Sequence, residues 1–202
     1  MTGSATGRFR VRWHRFAGII IAAAVGLAYS NSFRGVFVFD DFNKLVGNAR
    51  LEQFRTAIRA TSRPLLMASF WLNRALDGQQ TAGYHAVNLL IHVVCALLLY
   101  GLVRRTLQRC GRSARMCAGG AAAPALAVAL LWGVHPLTTG AVTYIVQRAE
   151  SLMAMFYLLM LYAAARAGAR GRGTWGLLAV VACWCGMLTK EVMVTAPLAV
   201  VL

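Results

Sequence analysis

Acidic residues are scarce in this chain: six Asp and Glu stand against 21 Lys and Arg, and all charged residues together make up 13% of it. A soluble domain is nearer a quarter charged, so the low charge, with 59% hydrophobic residues and a mean hydropathy of +0.60, excludes an ordinary soluble globular protein. Disulfides are excluded by position. Cys95, Cys183 and Cys185 lie inside apolar segments, and Cys110 and Cys117 fall in or beside a basic stretch, so none sits in a loop where an oxidising compartment would pair it. Cys183 and Cys185 are one residue apart, which is not metal-ligand spacing. There is no internal repeat, Gly-rich phosphate loop, zinc spacing or nucleophile elbow, and these absences remove the common soluble catalytic classes.

Apolar segments of spanning length are what the chain does contain. Five lie at about 16–32, 84–103, 118–134, 150–166 and 174–189, and a sixth begins near Val192 and runs to 202. Each approaches or reaches the ~17–25 residues a transmembrane helix needs. Basic clusters follow a fixed alternation between them. Arg8, Arg10, Arg12 and Arg15 precede the first segment, Arg104, Arg105, Arg109, Arg112 and Arg115 follow the second, and Arg166, Arg170 and Arg172 follow the fourth. None of these stretches contains Asp or Glu, so the positive-inside rule makes them, and the N-terminus, cytoplasmic. Twelve of the 21 basic residues are there. Orientation and anionic headgroups therefore account for the net charge of +15, and nucleic acid is not the expected partner. The first segment with its basic leader is read as a retained signal anchor because further spans follow it. From its end at Leu202, inside an apolar run with no basic stop, the chain is expected to be the N-terminal part of a longer polytopic protein.

By the same count Asp40, Asp41, Glu52, Asp77, Glu150 and Glu191 all face the exterior. The connection 33–83 is the longest. It opens on an aromatic run, Gly35 to Phe42, that contains the Asp40-Asp41 pair. An amphipathic helix over about 51–60 follows, with Leu51, Phe54 and Ile58 at helical spacing. After the break at Arg63-Pro64, the segment 65–76 reads as an interfacial helix. His85, Asn88 and His92 fall at i, i+3 and i+7 and form one polar stripe on the second span. Interhelical hydrogen bonding is the expected use of Asn88 and His92. His135-Pro136 ends the third span, and Gln147 to Glu150 and Thr189 to Glu191 put further charge at span ends. The expected fold is thus all-α and polytopic, with five to six transmembrane helices and a long first exterior loop carrying amphipathic helices.

A resemblance rests on these residues. Phe39-Asp40-Asp41 with Asn48, Ser62-Arg63-Pro64-Leu65, Phe70-Trp71-Leu72-Asn73, Tyr84-His85-Ala86-Val87-Asn88 with His92, His135-Pro136, Gln147-Arg148-Ala149-Glu150 and Lys190-Glu191 occur in the order seen in the protein O-mannosyltransferase superfamily. The likeness is strongest to its transmembrane and tetratricopeptide-repeat members and their bacterial relatives, and it runs from about residue 36 to 196. It implies a GT-C-type membrane glycosyltransferase that moves a hexose, commonly mannose, from a polyprenyl-phosphate donor to a protein or other hydroxyl acceptor at the extracytoplasmic face. Asp40 and Asp41 match the family's acidic pair and are the candidate catalytic residues, or the holders of a divalent metal if one is used. Arg63, Arg148 and Lys190 are candidates for the donor phosphate, and His85, His135, Glu150 and Glu191 for support of the site. The family's usual acidic residue in the His-Pro segment is Gly140 here. Two rival readings of the same spans are a non-catalytic anchor for a downstream tetratricopeptide-repeat domain and a transporter with a midplane site. High Ala, Arg and Gly content points to a bacterial inner membrane; in a eukaryote the membrane would be the endoplasmic reticulum.

Overall fold

The computed structural model describes residues 5–59, 61–110, 120–170 and 173–201, and no strand occurs among them. Nine helices are found there: α1 Ala5–Ala28, α2 Phe54–Arg59, α3 Pro64–Asp77, α4 Thr81–Arg109, α5 Ala122–Gly133, α6 Thr139–Thr143, α7 Arg148–Arg170, α8 Gly173–Met187 and α9 Leu198–Val201. Arg112, Arg115, Cys117 and Arg172 of the expected basic stretches lie outside the described residues.

The protein is an all-α membrane protein. The helix Thr81–Arg109 (29 residues) and the stretch Ile145–Gly168 (24 residues) are long and apolar enough to cross a bilayer, and Ala122–Gly133 with Pro136–Thr143 makes a third such unit bent by 52°. The remaining apolar helices, Phe16–Ala28, Gly173–Met187 and Glu191–Val200, are shorter. At 1.5 Å rise, 15 residues reach ~22 Å of a ~30 Å hydrocarbon core.

Local chemistry sets these breaks, which a hydropathy count does not see. The first segment stops at Ala28 because Ser30 and Ser32 turn their hydroxyls back onto the Leu27 and Tyr29 carbonyls, at 2.8 and 2.7 Å, competing with helix continuation. Pro136 has no N–H to donate and holds His135 extended (φ −67°, ψ 135°), so α5 cannot continue. The sixth run divides into a 3-10 turn, Glu191–Thr195, and the short α9 beyond Pro197.

Contacts fix the helix directions. Gly18 of α1 faces Leu97 of α4, whereas Tyr29 meets His92 at 5.5 Å between ring centroids, so α1 and α4 are antiparallel. Going up α4, Asn88 meets Arg148, Gly101 meets Tyr162 and Arg105 meets Ala165, so α4 and α7 are parallel. One core is built from Ile21, Val25, Ala96, Ala125, Ala129 and Val142; its small residues let the backbones approach, as membrane helices require. A Cβ on Gly133 would lie 2.9 Å from the Val25 Cγ2 atom and 3.6 Å from the Ala96 Cβ atom. Gly133→Leu is therefore expected to cost about 1–3 kcal/mol, read as a lower melting temperature in detergent. Gly176→Leu, which enters open space, leaves that temperature unchanged.

The loop 29–80 folds over the α4 N-terminal end. Leu45, Leu51, Ala57, Leu66, Phe70, Tyr84 and Ile145 form a second core there. Among the described residues of the expected amphipathic helix, Phe54–Arg59 is α-helical, while Ala60 lies outside them; the helix buries Ala57, and Phe54 stays 45% exposed and packs against Trp71 at 4.9 Å. Leu51 is buried from the preceding 3-10 turn instead. The segment expected over 65–76 is helical, as α3. Pro64 opens it at a position whose N–H has no intrahelical partner, and Gly78, at φ 62°, closes it by donating its N–H to the Arg74 carbonyl. A conformation with positive φ suits glycine.

Candidate functional site

The acidic pair is split by the fold. Asp41 is completely buried; its Oδ2 accepts the Val38 N–H (3.1 Å) and its Oδ1 the Val146 N–H (2.9 Å). Burial raises its pKa above the ordinary 3.8, against the two N–H bonds and the charge of His85, which lower it. Asp40 turns outward. Its Oδ2 accepts from the Lys44 Nζ at 2.7 Å with both side chains more than half exposed, and its own N–H donates to the Tyr144 hydroxyl at 3.1 Å. Phe39, at φ 46° and 85% exposed, makes a bend immediately before the pair; a bulky residue in that region is strained. Asp41 therefore pins the loop to the start of α7 and holds Asp40 at the surface.

Arg148 is the largest fully buried side chain. Its Nε donates to the Asn88 Oδ1 (2.7 Å), its Nη2 to the Tyr84 carbonyl (3.0 Å), and its Nη1 to the Ser69 carbonyl (3.2 Å). The guanidinium lies 4.6 Å from the centroid of the Phe70 ring. It thus ties α3, α4 and α7 through neutral acceptors and has no face open to a ligand. Asn88 completes the tie by donating to the Val142 and Ile145 carbonyls, each at 3.4 Å. His92 pairs with the Gly133 carbonyl at 2.8 Å and stacks on Trp132. Both stripe residues make the interhelical bonds expected of them. His85 is buried beside Asp41, with the Gly35 backbone as the nearest polar group to its ring; a Cβ on Gly35 would come within 2.8 Å of its Nε2 and 2.9 Å of the Ser32 carbonyl oxygen, so this approach requires glycine.

The remaining charges meet where α3, α7 and the turn after α8 converge. The Leu65 N–H donates to the Leu188 carbonyl at 3.2 Å, which brings the α3 N-terminus to that turn. Lys190 pairs with Glu150, and Arg63 with Glu191 at 3.0 Å. The Glu191 carboxyl is held below its usual range by its own backbone N–H and then by Arg63. His135 stands apart from these groups. Exposed, it accepts the Leu137 N–H at its Nδ1 (3.2 Å) and caps the turn after α5. Among the described residues no three His, Cys, Asp or Glu gather to hold a metal ion.

A cavity of about 330 Å³ opens between α4, α5 and α7, lined by Leu99, Trp132, Met153, Ala154, Tyr157, Leu158 and Val192. Its walls are apolar. Met153 lies three residues beyond Glu150 on α7 and Val192 two residues beyond Lys190, and none of the paired charges lines the cavity itself. Tyr144 and Ser69 enter the site without a sequence cue; a hydroxyl in a mixed segment carries no periodic signal.

No protein-family model matches the chain, and no solved structure matches it. Curated proteins do. The chain is 29% identical over 209 residues to the protein O-mannosyl-transferase TMTC4 of Homo sapiens, covering 89% of this chain and 28% of that protein. It is 33% identical over 162 residues to the protein O-mannosyl-transferase TMTC1 of Mus musculus, covering 71% of this chain and 16% of the relative. With the protein O-mannosyl-transferase F38B6.6 of Caenorhabditis elegans the identity is 30% over 160 residues, 71% of this chain and 22% of the relative. The chain spans less than a third of the length of each of these relatives.

Proposed function

This chain belongs with the O-mannosyltransferase-like proteins related to the TMTC family, and on that premise we propose that it forms part of a glycosyltransferase moving mannose, or another hexose, from a polyprenyl-phosphate to a protein hydroxyl at the extracytoplasmic membrane face. The observation that carries the donor class is the apolar cavity whose lining includes Met153 and Val192, three residues from Glu150 and two from Lys190 along the chain. A lipid tail in that cavity would place its phosphate beside Lys190, with Arg63 on the adjoining turn. Asp40, the exposed member of the acidic pair, is the base: it takes the proton of the acceptor hydroxyl as the oxygen attacks the sugar's C1 atom. The bond from C1 to the phosphate oxygen breaks, the configuration inverts, and polyprenyl phosphate leaves with its charge stabilised by the cations. Asp41, His85 and Arg148 position this machinery, and Glu150 and Glu191 orient Lys190 and Arg63. His135 holds the bend after α5.

The test uses membranes carrying the complete gene product, supplied with radiolabelled polyprenyl-phosphate mannose and a Ser/Thr-rich protein acceptor. Label released from the acceptor by β-elimination is expected. Transfer from a nucleotide sugar with no lipid-linked donor overturns the donor, and transfer from neither favours the anchor reading. Lys190→Gln is expected to raise the donor KM roughly 10–100-fold, the scale of one lost charged hydrogen bond, with the acceptor KM unmoved.

A further inference from the structure

We propose that the opposite end of the bundle binds the phosphate of an anionic membrane phospholipid, between the last turns of α4 and α7. This inference is independent of the transferase reading. Gly101, Arg104 and Arg105 fall at i, i+3 and i+4 and so share one face of α4. Gly101 on that face packs against Tyr162 of α7, where a Cβ would meet the Tyr162 Cε2 at 2.9 Å. One turn further on, the Arg105 Nε and the Arg109 Nη2 both donate to the Ala165 carbonyl, at 3.3 and 2.6 Å. Arg166 is the next residue of α7. It donates to the Tyr162 hydroxyl at 3.0 Å, and its guanidinium lies 4.1 Å from the centroid of the Trp175 ring.

Four arginines from two helices are thus gathered around one turn, and all six acidic residues of the chain are at the other end of the bundle or in the loop above it. Among the described residues the acceptors that these side chains reach are neutral, a carbonyl and a phenol. The Nε atoms of Arg104 and Arg166 are buried and have no hydrogen-bond partner among the described residues. Buried donors are normally paired, so an arginine cluster with two unpaired Nε groups and no carboxylate at its end of the bundle points to a missing anion. Its chemistry follows from the guanidinium fork, which matches the oxygens of a phosphate. Its source follows from depth: Tyr162 and Trp175 are the residue types that sit at the headgroup level of a bilayer, and a basic pocket between helix ends at that level suits an anionic headgroup.

The complete gene product in detergent is titrated with phosphatidylglycerol and, separately, with phosphatidylcholine, and bound lipid is counted by native mass spectrometry alongside the melting temperature. Phosphatidylglycerol alone is expected to be retained and to raise the melting temperature. The double variant Arg104→Gln/Arg166→Gln should weaken phosphatidylglycerol binding roughly tenfold or more, while the charge-matched Arg55→Gln/Arg59→Gln keeps full affinity. Should the first variant fail to fold, Arg104→Lys/Arg166→Lys keeps the charge but loses the fork, and a several-fold weaker binding is expected of it. Unchanged phosphatidylglycerol affinity in whichever of these variants folds overturns the site. An equal shift from inorganic phosphate alone overturns the lipid as its source.

Discussion

Asp40→Asn in the complete gene product is expected to lower sugar transfer roughly 10²–10⁴-fold, the usual contribution of a general base, with membrane insertion and melting temperature unchanged. Asn is nearly isosteric with Asp. The contact that fixes residue 40 is its backbone N–H to the Tyr144 hydroxyl, which the substitution leaves in place. Its carboxylate makes only the exposed ion pair with Lys44, and exposed pairs contribute about 0–1 kcal/mol. The neighbouring residue behaves differently. In Asp41→Asn a single amide oxygen can accept one of the two N–H groups of Val38 and Val146, and the amide NH₂ opposes the other. That variant is expected to lose about 1–3 kcal/mol of stability, and transfer falls with the folded fraction. Turnover per folded molecule therefore separates the two aspartates, which a double substitution cannot do. Full turnover in Asp40→Asn would show that Asp40 is not the base and move that role to another group.

The separation of charge between the ends of the bundle was readable from span counting, because it depends only on where apolar runs begin and end. The stripe of His85, Asn88 and His92 was readable for a similar reason: three polar side chains on one face of an apolar helix need partners, and Asn88 and His92 find them on neighbouring helices. The fate of Asp41 was not. Its partners are the N–H groups of Val38 and Val146, which every non-proline residue owns, so no residue type announces them. Pairing at the outer turn was equally hidden. Arg63 and Lys190 were expected there, yet which carboxylate each meets depends on α3 docking at Leu188, a tertiary event.

Arg148 shows what periodicity can still tell once a neighbour is known. Expected beside a phosphate, it lies instead between three helices, where its guanidinium faces the Asn88 that the stripe had marked as needing a partner. Two polar groups on adjacent apolar helices are more economically read as each other's partner than as two separate sites. Span ends were misjudged for another reason. Ser30, Ser32, Pro136 and Pro197 act through backbone hydrogen bonding, and averaged hydropathy does not register that.

Arg148→Met is expected to be the most destabilising single change in the fold. Met fills much of the volume but donates nothing, so Asn88 Oδ1 loses its donor in a buried site, while the Tyr84 and Ser69 carbonyls lose one bond each and keep their intrahelical N–H partners. The orphaned oxygen costs about 1–3 kcal/mol and each lost bond to a carbonyl about 1 kcal/mol. Relief of the cost of burying the guanidinium offsets part of that sum. A net loss of about 2–4 kcal/mol follows, near the upper end for point substitutions. Arg148→Lys should rescue little, because one ammonium cannot span acceptors on two helices in the planar geometry of the fork. The double variant Arg148→Met/Asn88→Leu should be less destabilised than the sum of its parts, since the two side chains satisfy each other, and a coupling of about 0.5–3 kcal/mol is expected. The readouts are melting temperature in detergent and donor KM per folded molecule. A tie between helices moves the first and leaves the second alone. A donor-phosphate contact does the reverse: an unchanged melting temperature with a raised donor KM would return Arg148 to the phosphate and require the three helices to separate around it during turnover.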